Sequence, residues 1–259
     1  MTELLARAQA AFSAGKTNEA LALATKATEG DPKNPEGFYV RGRLHEAGRQ
    51  YDKAVADYSK VLEIDATATG LYQRRGEAYF KMGRIDESIA DFDKFLQLVP
   101  RQEPQHWQRG ISYYYAARYE DGRKQFESHQ TVNPNDVENA VWHFLCVARL
   151  SGVPKARAAL IPIKGDQRVP MMEIHALYAG KGTVDGVLAA ARAGNPSGAE
   201  LNRRLFYAHL YLGLYYEASG DAKTARGHIA KAAENFEPGN YMGDVARLHL
   251  KLMDKAEKK

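Results

Sequence analysis

A 34-residue period constrains this chain more than any other feature. Gly42, Gly76 and Gly110 stand 34 residues apart, and Arg41, Arg75 and Arg109 precede them at the same step. A column of small residues runs through Ala20, Ala54, Ser88 and Gly122, and a column of larger ones through Ala24, Tyr58, Phe92 and Phe126. Pro32, Pro100 and Pro134 close three of the four units, and Ala66 stands where the second unit would have its proline. A repeat of this length is one helix–turn–helix unit. Such a unit cannot bury its apolar face alone, so the copies stack.

Each column has a physical role. Glycine in the first helix of a pair (helix A) and a small residue in the second (helix B) let the two helices approach closely. Tyr72, Tyr79 and Phe92 fill the space between layers. Gly15 and Gly83 allow a tight turn between helices, and the closing proline stops helix B, since it lacks an N–H and clashes with the preceding turn. Residues 69–100 are the clearest copy, with Gly83 at the turn and Pro100 at the end.

These columns resemble the tetratricopeptide repeat (TPR). The resemblance implies an all-α, right-handed TPR superhelix, an α-solenoid of antiparallel helix pairs. Residues 1–136 hold four units. Residues 137–200 are a divergent helical segment: NAVWHFLCVARL reads as a further helix A, Pro154 disturbs its partner, and Pro162, Gly165 and Pro170 open a loop around IPIKGDQRVP. Two short helices follow, MEIHALYAG and VDGVLAAARAG, joined by a Gly-Lys-Gly turn. Residues 201–259 hold a returning unit, in which Gly213, Gly220 and Ala225 repeat the earlier spacing, and a capping helix near 241–256 after a break at EPGN. The tail LMDKAEKK reads as a frayed helix end.

The composition narrows the function. With 44% hydrophobic and 26% charged residues the chain can bury a core, and its net charge of +4 with interleaved signs describes a solvated surface, not a nucleic-acid-binding one. The single cysteine, Cys146, allows no internal disulfide and no thiolate metal site, and it reads as a small core residue. No run of about 20 apolar residues is present to span a membrane. The eight histidines (His45, His106, His129, His143, His175, His209, His228, His249) follow no metal-site spacing. No catalytic or nucleotide-binding motif occurs, and GKGTVDG follows a helix rather than a strand. The expectation is a protein without enzymatic activity or cofactor.

Two groups of residues stand out. Arg41, Arg75 and Arg109 occupy a position that is apolar in most TPR units. They offer either a ladder of cations for an acidic ligand or structural ion pairs. Asp57 follows Arg41 by sixteen residues and Asp91 follows Arg75 by sixteen, a spacing that suits pairing across helices A and B. In the fourth unit Gln125 replaces the aspartate, which leaves Arg109 the most open to a ligand. The second group is the inward face of the A helices, where a TPR stack meets its partner. It comprises Tyr39, Arg43 and Glu46; then Gln73, Glu77, Phe80 and Lys81; then Trp107, Ile111, Tyr114 and Tyr115. Trp107, Tyr114 and Tyr115 form an aromatic patch suited to an extended peptide or a helix, although such rings also pack between helices. Chaperone-binding TPR domains clamp a terminal carboxylate with Lys, Asn and Arg, but Arg43 and Glu77 hold the matching asparagine places here.

A narrower likeness lies downstream. Asn135-Asp136 with Trp142 and Leu145, the segment HALYAG with Tyr178 and Gly180, and YLGLYYEASGDAKTA with Tyr211, Leu212, Gly213, Tyr215, Tyr216, Gly220, Asp221 and Ala225 resemble the bacterial NlpI-type TPR lipoproteins. That resemblance implies a lipid-anchored homodimeric envelope adaptor that holds a protease next to murein hydrolases. The chain has no lipobox cysteine and no leader, so the compartment is the periplasm or cell envelope if a leader was removed and the cytoplasm otherwise. The alternatives are a cytoplasmic TPR regulator or assembly factor, and a small-molecule-binding protein or enzyme that uses the loops at 161–183.

Overall fold

A computed structural model describes residues 2–236 and 239–257, and among these there is no strand. Glu237 and Pro238 of the expected EPGN break, and Lys258 and Lys259 of the charged tail, lie outside the described residues. The described helices follow one another as antiparallel pairs, as the repeat columns predict. It divides into two compact units, one ending at Arg101 and one beginning at Gln102.

The first unit holds three antiparallel pairs: α1 (Thr2–Ser13) with α2 (Thr17–Gly30), α3 (Pro35–Ala47) with α4 (Tyr51–Ile64), and α5 (Thr69–Met82) with α6 (Ile85–Leu98). Local sequence sets the ends of these helices. Asn34 caps α3 by accepting from the Glu36 N–H at 2.9 Å, with Pro35 in the first turn. The core is the small and large columns themselves: Ala20, Ala24, Ala54, Tyr58, Ser88 and Phe92 are all fully buried.

The glycine column is a contact requirement. A Cβ on Gly42 would stand 2.7 Å from the Tyr58 ring, on Gly76 2.7 Å from Phe92, and on Gly110 2.7 Å from Phe126. Gly213 meets Ile229 at 2.6 Å in the same way, sixteen residues downstream as in the other three pairs. The sequence therefore returns to register in the helix that carries Gly213.

The turn position shows a second 34-residue column that composition hides. Gly15 (φ 75°), Arg49 (φ 57°), Gly83 (φ 79°) and Ala117 (φ 56°) all adopt the left-handed conformation. Two of the four are not glycine, so the turn geometry is imposed by helix packing and not by residue type. Left-handed φ costs an L-residue about 1–2 kcal/mol, more than the about 0.5–1 kcal/mol entropic cost of glycine. Ala117→Gly is therefore expected to stabilise the protein by about 0.5 kcal/mol, and Gly83→Ala to destabilise it by about 1 kcal/mol. Denaturant midpoints check both signs.

The second unit contains α7 (Trp107–Tyr115), α8 (Tyr119–Gln130), α9 (Val137–Ser151), α10 (Val153–Ala158), α11 (Met171–Tyr178), α12 (Val184–Arg192), α13 (Gly198–Ala218), α14 (Ala222–Ala230) and α15 (Tyr241–Glu257). A 3-10 turn at Pro100–Gln105 precedes α7, and a single π turn at Lys231–Asn235 ends α14. The fourth sequence repeat, α7 and α8, thus packs with the C-terminal helices. Two helices of this unit are buried on all sides: α9 from Asn139 to Val147 and α13 from Leu205 to Leu214. They meet through α11, where Tyr178 packs edge-on against Phe144 at 5.0 Å and donates its hydroxyl to the Tyr211 carbonyl at 2.8 Å. Cys146 fills the space left by Gly122, and burial pushes its thiol pKa well up.

Candidate protein-binding surfaces

In the first unit the arginine column is paired internally. Arg41 donates to both Asp57 oxygens, Nε to Oδ2 at 2.9 Å and Nη2 to Oδ1 at 2.7 Å, and Nη1 reaches Thr28 Oγ1 at 2.9 Å. Arg75 repeats the arrangement on Asp91 at 2.7 and 2.7 Å, with Ser59 Oγ at 3.0 Å. Arg75 also lies over the Tyr72 and Tyr79 rings, 5.8 Å from each centroid.

The inward face of α3 and α5 is a charged surface centred on Glu46. Tyr58 Oη donates to Glu46 Oε2 at 2.6 Å, Arg74 Nη1 stands 3.3 Å from the same oxygen, and Lys81 Nζ stands 3.6 Å from Oε1. Glu77 accepts from Gln73 at 2.8 Å, and burial raises its pKa although Gln73 and Lys81 oppose the shift. Arg43 is exposed and lies over the Tyr39 ring, donating to its hydroxyl at 3.3 Å. Phe80, expected on this face, is completely buried and meets no ligand there. Apolar burial outweighs its position in the repeat. Sequence reasoning missed Arg74, because only the crossing of α3 and α5 brings it to Glu46.

In the second unit Arg109 is engaged, against the expectation that it is the most open of the column. Gln125 Oε1 accepts from Nε at 2.8 Å and from Nη2 at 2.6 Å, and Glu103 accepts at 3.2 Å. The residues of the 3-10 turn supply the charge that Gln125 lacks.

The aromatic patch of this unit is not an open ligand surface. Ile111 and Tyr114 are buried. Trp107 meets Tyr241 of α15 edge-on at 5.2 Å, and Tyr115 Oη lies 2.9 Å from His249 Nδ1. His249 Nε2 stands 3.3 Å from Glu217 on α13, and Arg149 pairs with Glu217 at 3.0 Å. Burial opposes ionisation of Glu217, but His249 and Arg149 outweigh it and hold its pKa below the usual range. Tyr241 and His249 of α15 thus engage two of the aromatic residues on the face that the repeat pattern offers to a partner. The pattern identifies that face but carries no sign that α15 returns to it, because α15 lies some 130 residues downstream.

Beside α15 lies a cavity of about 270 Å³ whose wall includes Trp107, Asp136, Glu138, Trp142, Arg168 and Tyr241. Asp136 caps α9, accepting from the Glu138 N–H at 3.0 Å, and lies 3.8 Å from His129. Arg168, in the loop before α11, touches Asp136 at 2.7 Å, Glu138 at 2.5 Å and Asp166 at 2.6 Å. Tyr211 donates to Glu138 at 2.5 Å. No local spacing marks this cluster, since Asp136 and Glu138 lie about thirty residues from Arg168 and only Asp166 is its neighbour in sequence. Among the described residues no group of three or more His, Cys, Asp or Glu side chains could hold a metal ion, and no helix is long and apolar enough to cross a membrane.

Residues 5–69 and 70–102 match tetratricopeptide repeat families. No curated protein matches the chain. A tetratricopeptide repeat protein from Parabacteroides merdae superposes with a TM-score of 0.62 at 17% identity, covering 98% of this chain and 98% of its own. A MamA protein gives a TM-score of 0.57 at 15% identity over 70% of this chain and 92% of its own. MamA from Desulfovibrio magneticus RS-1 gives 0.55 at 16% identity over 61% and 89%. At these identities the likeness establishes the fold.

Proposed function

Because the chain is a tetratricopeptide-repeat solenoid, we propose that it is a non-enzymatic scaffold that binds a partner protein, as a peptide or a helix, along the inward face of α3 and α5. TPR proteins are in general protein-interaction scaffolds, because stacked repeats present an extended surface on a rigid frame. The observation that carries this reading is the contrast between the two units. In the second unit Trp107 and Tyr115 are engaged by side chains of α15, whereas in the first unit Arg43 is exposed and Tyr39, Gln73 and Arg74 are half-buried on a preorganised charged surface that no later helix is seen to engage among the described residues. Preorganisation spares the partner the entropic cost of ordering the groove, and a scaffold with two clients raises their effective concentration.

Arg43→Glu combined with Arg74→Glu is the appropriate test, since Tyr114 is buried and Trp107 is engaged by Tyr241. Partner recovery in a cross-linked pull-down is expected to fall about tenfold, the scale of one central contact. Unchanged recovery with a folded variant refutes the assignment of this face. The narrower role of an envelope adaptor for proteases or murein hydrolases rests on the segments around Trp142, Tyr178 and 211–225. It requires the native gene product to fractionate with the envelope and to elute as a homodimer.

A further inference from the structure

The cavity beside α15 has the makings of a site that the scaffold reading does not use. Five aromatic residues line it, Trp107, Phe126, Trp142, Tyr207 and Tyr241, and two carboxylates stand in its wall, Asp136 and Glu138. The local charge is unbalanced. Arg168 is already matched by Asp166, which accepts from Nε at 3.0 Å and from Nη2 at 2.6 Å. Asp136 and Glu138 share the same guanidinium, so three carboxylates face one arginine, with His129 3.8 Å from Asp136 as the further basic group; burial raises the Glu138 pKa, a cost that a second cation beside it would offset. Both remain reachable, with 17% and 15% of their side-chain surface exposed.

A second observation comes from the next turn of α9. The Asn139 amide nitrogen donates to the Phe126 carbonyl at 3.0 Å and to Gln130 at 3.3 Å, which orients the side chain and leaves Oδ1 without a donor. Trp142 Nε1 has no acceptor. Both residues line the cavity and are only 3% and 2% exposed. A buried donor and a buried acceptor left unpaired each cost about 1–3 kcal/mol, so a group that supplies both is favoured there.

We propose that this cavity binds a cationic amino-acid side chain of a peptide, a guanidinium or ammonium on an aliphatic stem. The head group sits against Asp136 and Glu138 and offers an N–H to Asn139. The stem packs on Trp107 and Tyr241, whose ring faces attract a cation. A carbonyl of the ligand accepts from the Trp142 indole. The volume suits one side chain, not a larger cofactor.

The test uses the full chain and four probes: the Nα-acetyl amides of arginine, lysine, norleucine and glutamate. The chain has only two tryptophans, so the indole N–H resonance of Trp142 is readily followed. A cationic probe is expected to move that resonance saturably, with an affinity about tenfold or more above that of norleucine. Glu138→Gln is expected to abolish the preference. Should Glu138→Gln unfold, Trp107→Leu, which removes an aromatic wall and leaves the carboxylates in place, is expected to weaken the cationic probe about tenfold. Norleucine or glutamate binding as well as arginine and lysine overturns the proposal. So does the absence of any saturable shift, or a preference that survives in folded variants.

Discussion

Asp91→Ala is expected to destabilise the N-terminal unit by about 3–5 kcal/mol, the cost of leaving a buried charge without its partner. Arg75 and Asp91 keep only 18% and 8% of their side-chain surface exposed, so water cannot readily replace the carboxylate. Ser59 and the faces of Tyr72 and Tyr79 would remain around the guanidinium, but none carries a negative charge. The chain contains its own comparison. At Arg109 a neutral amide oxygen accepts both donors, and Glu103 adds charge from the side. Asp91→Gln is therefore expected to cost about half as much as the alanine variant, since it keeps an acceptor but not the charge. Urea midpoints of the two variants check the order. A loss below about 1 kcal/mol for Asp91→Ala would mean that Arg75 is solvated well enough to need no partner.

The extent to which the fold can be read from the sequence follows from the range of the interactions. The glycine, aromatic and aspartate columns act within one helix pair, sixteen residues apart, and each recurs, so spacing alone exposes them. The left-handed turn at Arg49 and Ala117 hides because the backbone conformation is repeated while the residue is not. Phe80, Ile111 and Tyr114 occupy positions that a single repeat assigns to an open face, but later helices or neighbouring layers bury them. The cluster of Asp136, Glu138, Asp166 and Arg168 depends on a loop folding back on the start of α9, and a single occurrence leaves no period to detect. What repeats is legible, and what closes the stack is not. The cavity beside α15 lies where the two meet.

Removal of α15 has the larger expected effect and bears directly on that closure. Truncation after Gly239 deletes Met242, Val245, Leu248 and Leu250, all buried, together with the Tyr241 contact to Trp107 and the His249 contact to Tyr115. Each large aliphatic side chain contributes about 1.5–3 kcal/mol on burial, so the loss exceeds about 5 kcal/mol, comparable to the whole stability of an ordinary domain. The C-terminal unit should then lose its cooperative transition and bind a hydrophobic dye. The N-terminal unit, with its own core of alanine, tyrosine and phenylalanine columns, should retain its helicity. A synthetic peptide spanning residues 240–257 added in trans is expected to restore the transition, because α15 presents one apolar face and a polar rim that includes the Arg226–Asp254 pair at 2.7 Å. That is helix-in-groove recognition with the ligand supplied by the chain itself. If the truncated protein melts at the native temperature and ignores the peptide, α15 is a peripheral cap and the aromatic face of α7 is free. Restoration by the peptide would instead establish that the C-terminal unit accepts an amphipathic helix beside α14 and the π turn, a helix-in-groove recognition of the kind proposed for the face of α3 and α5.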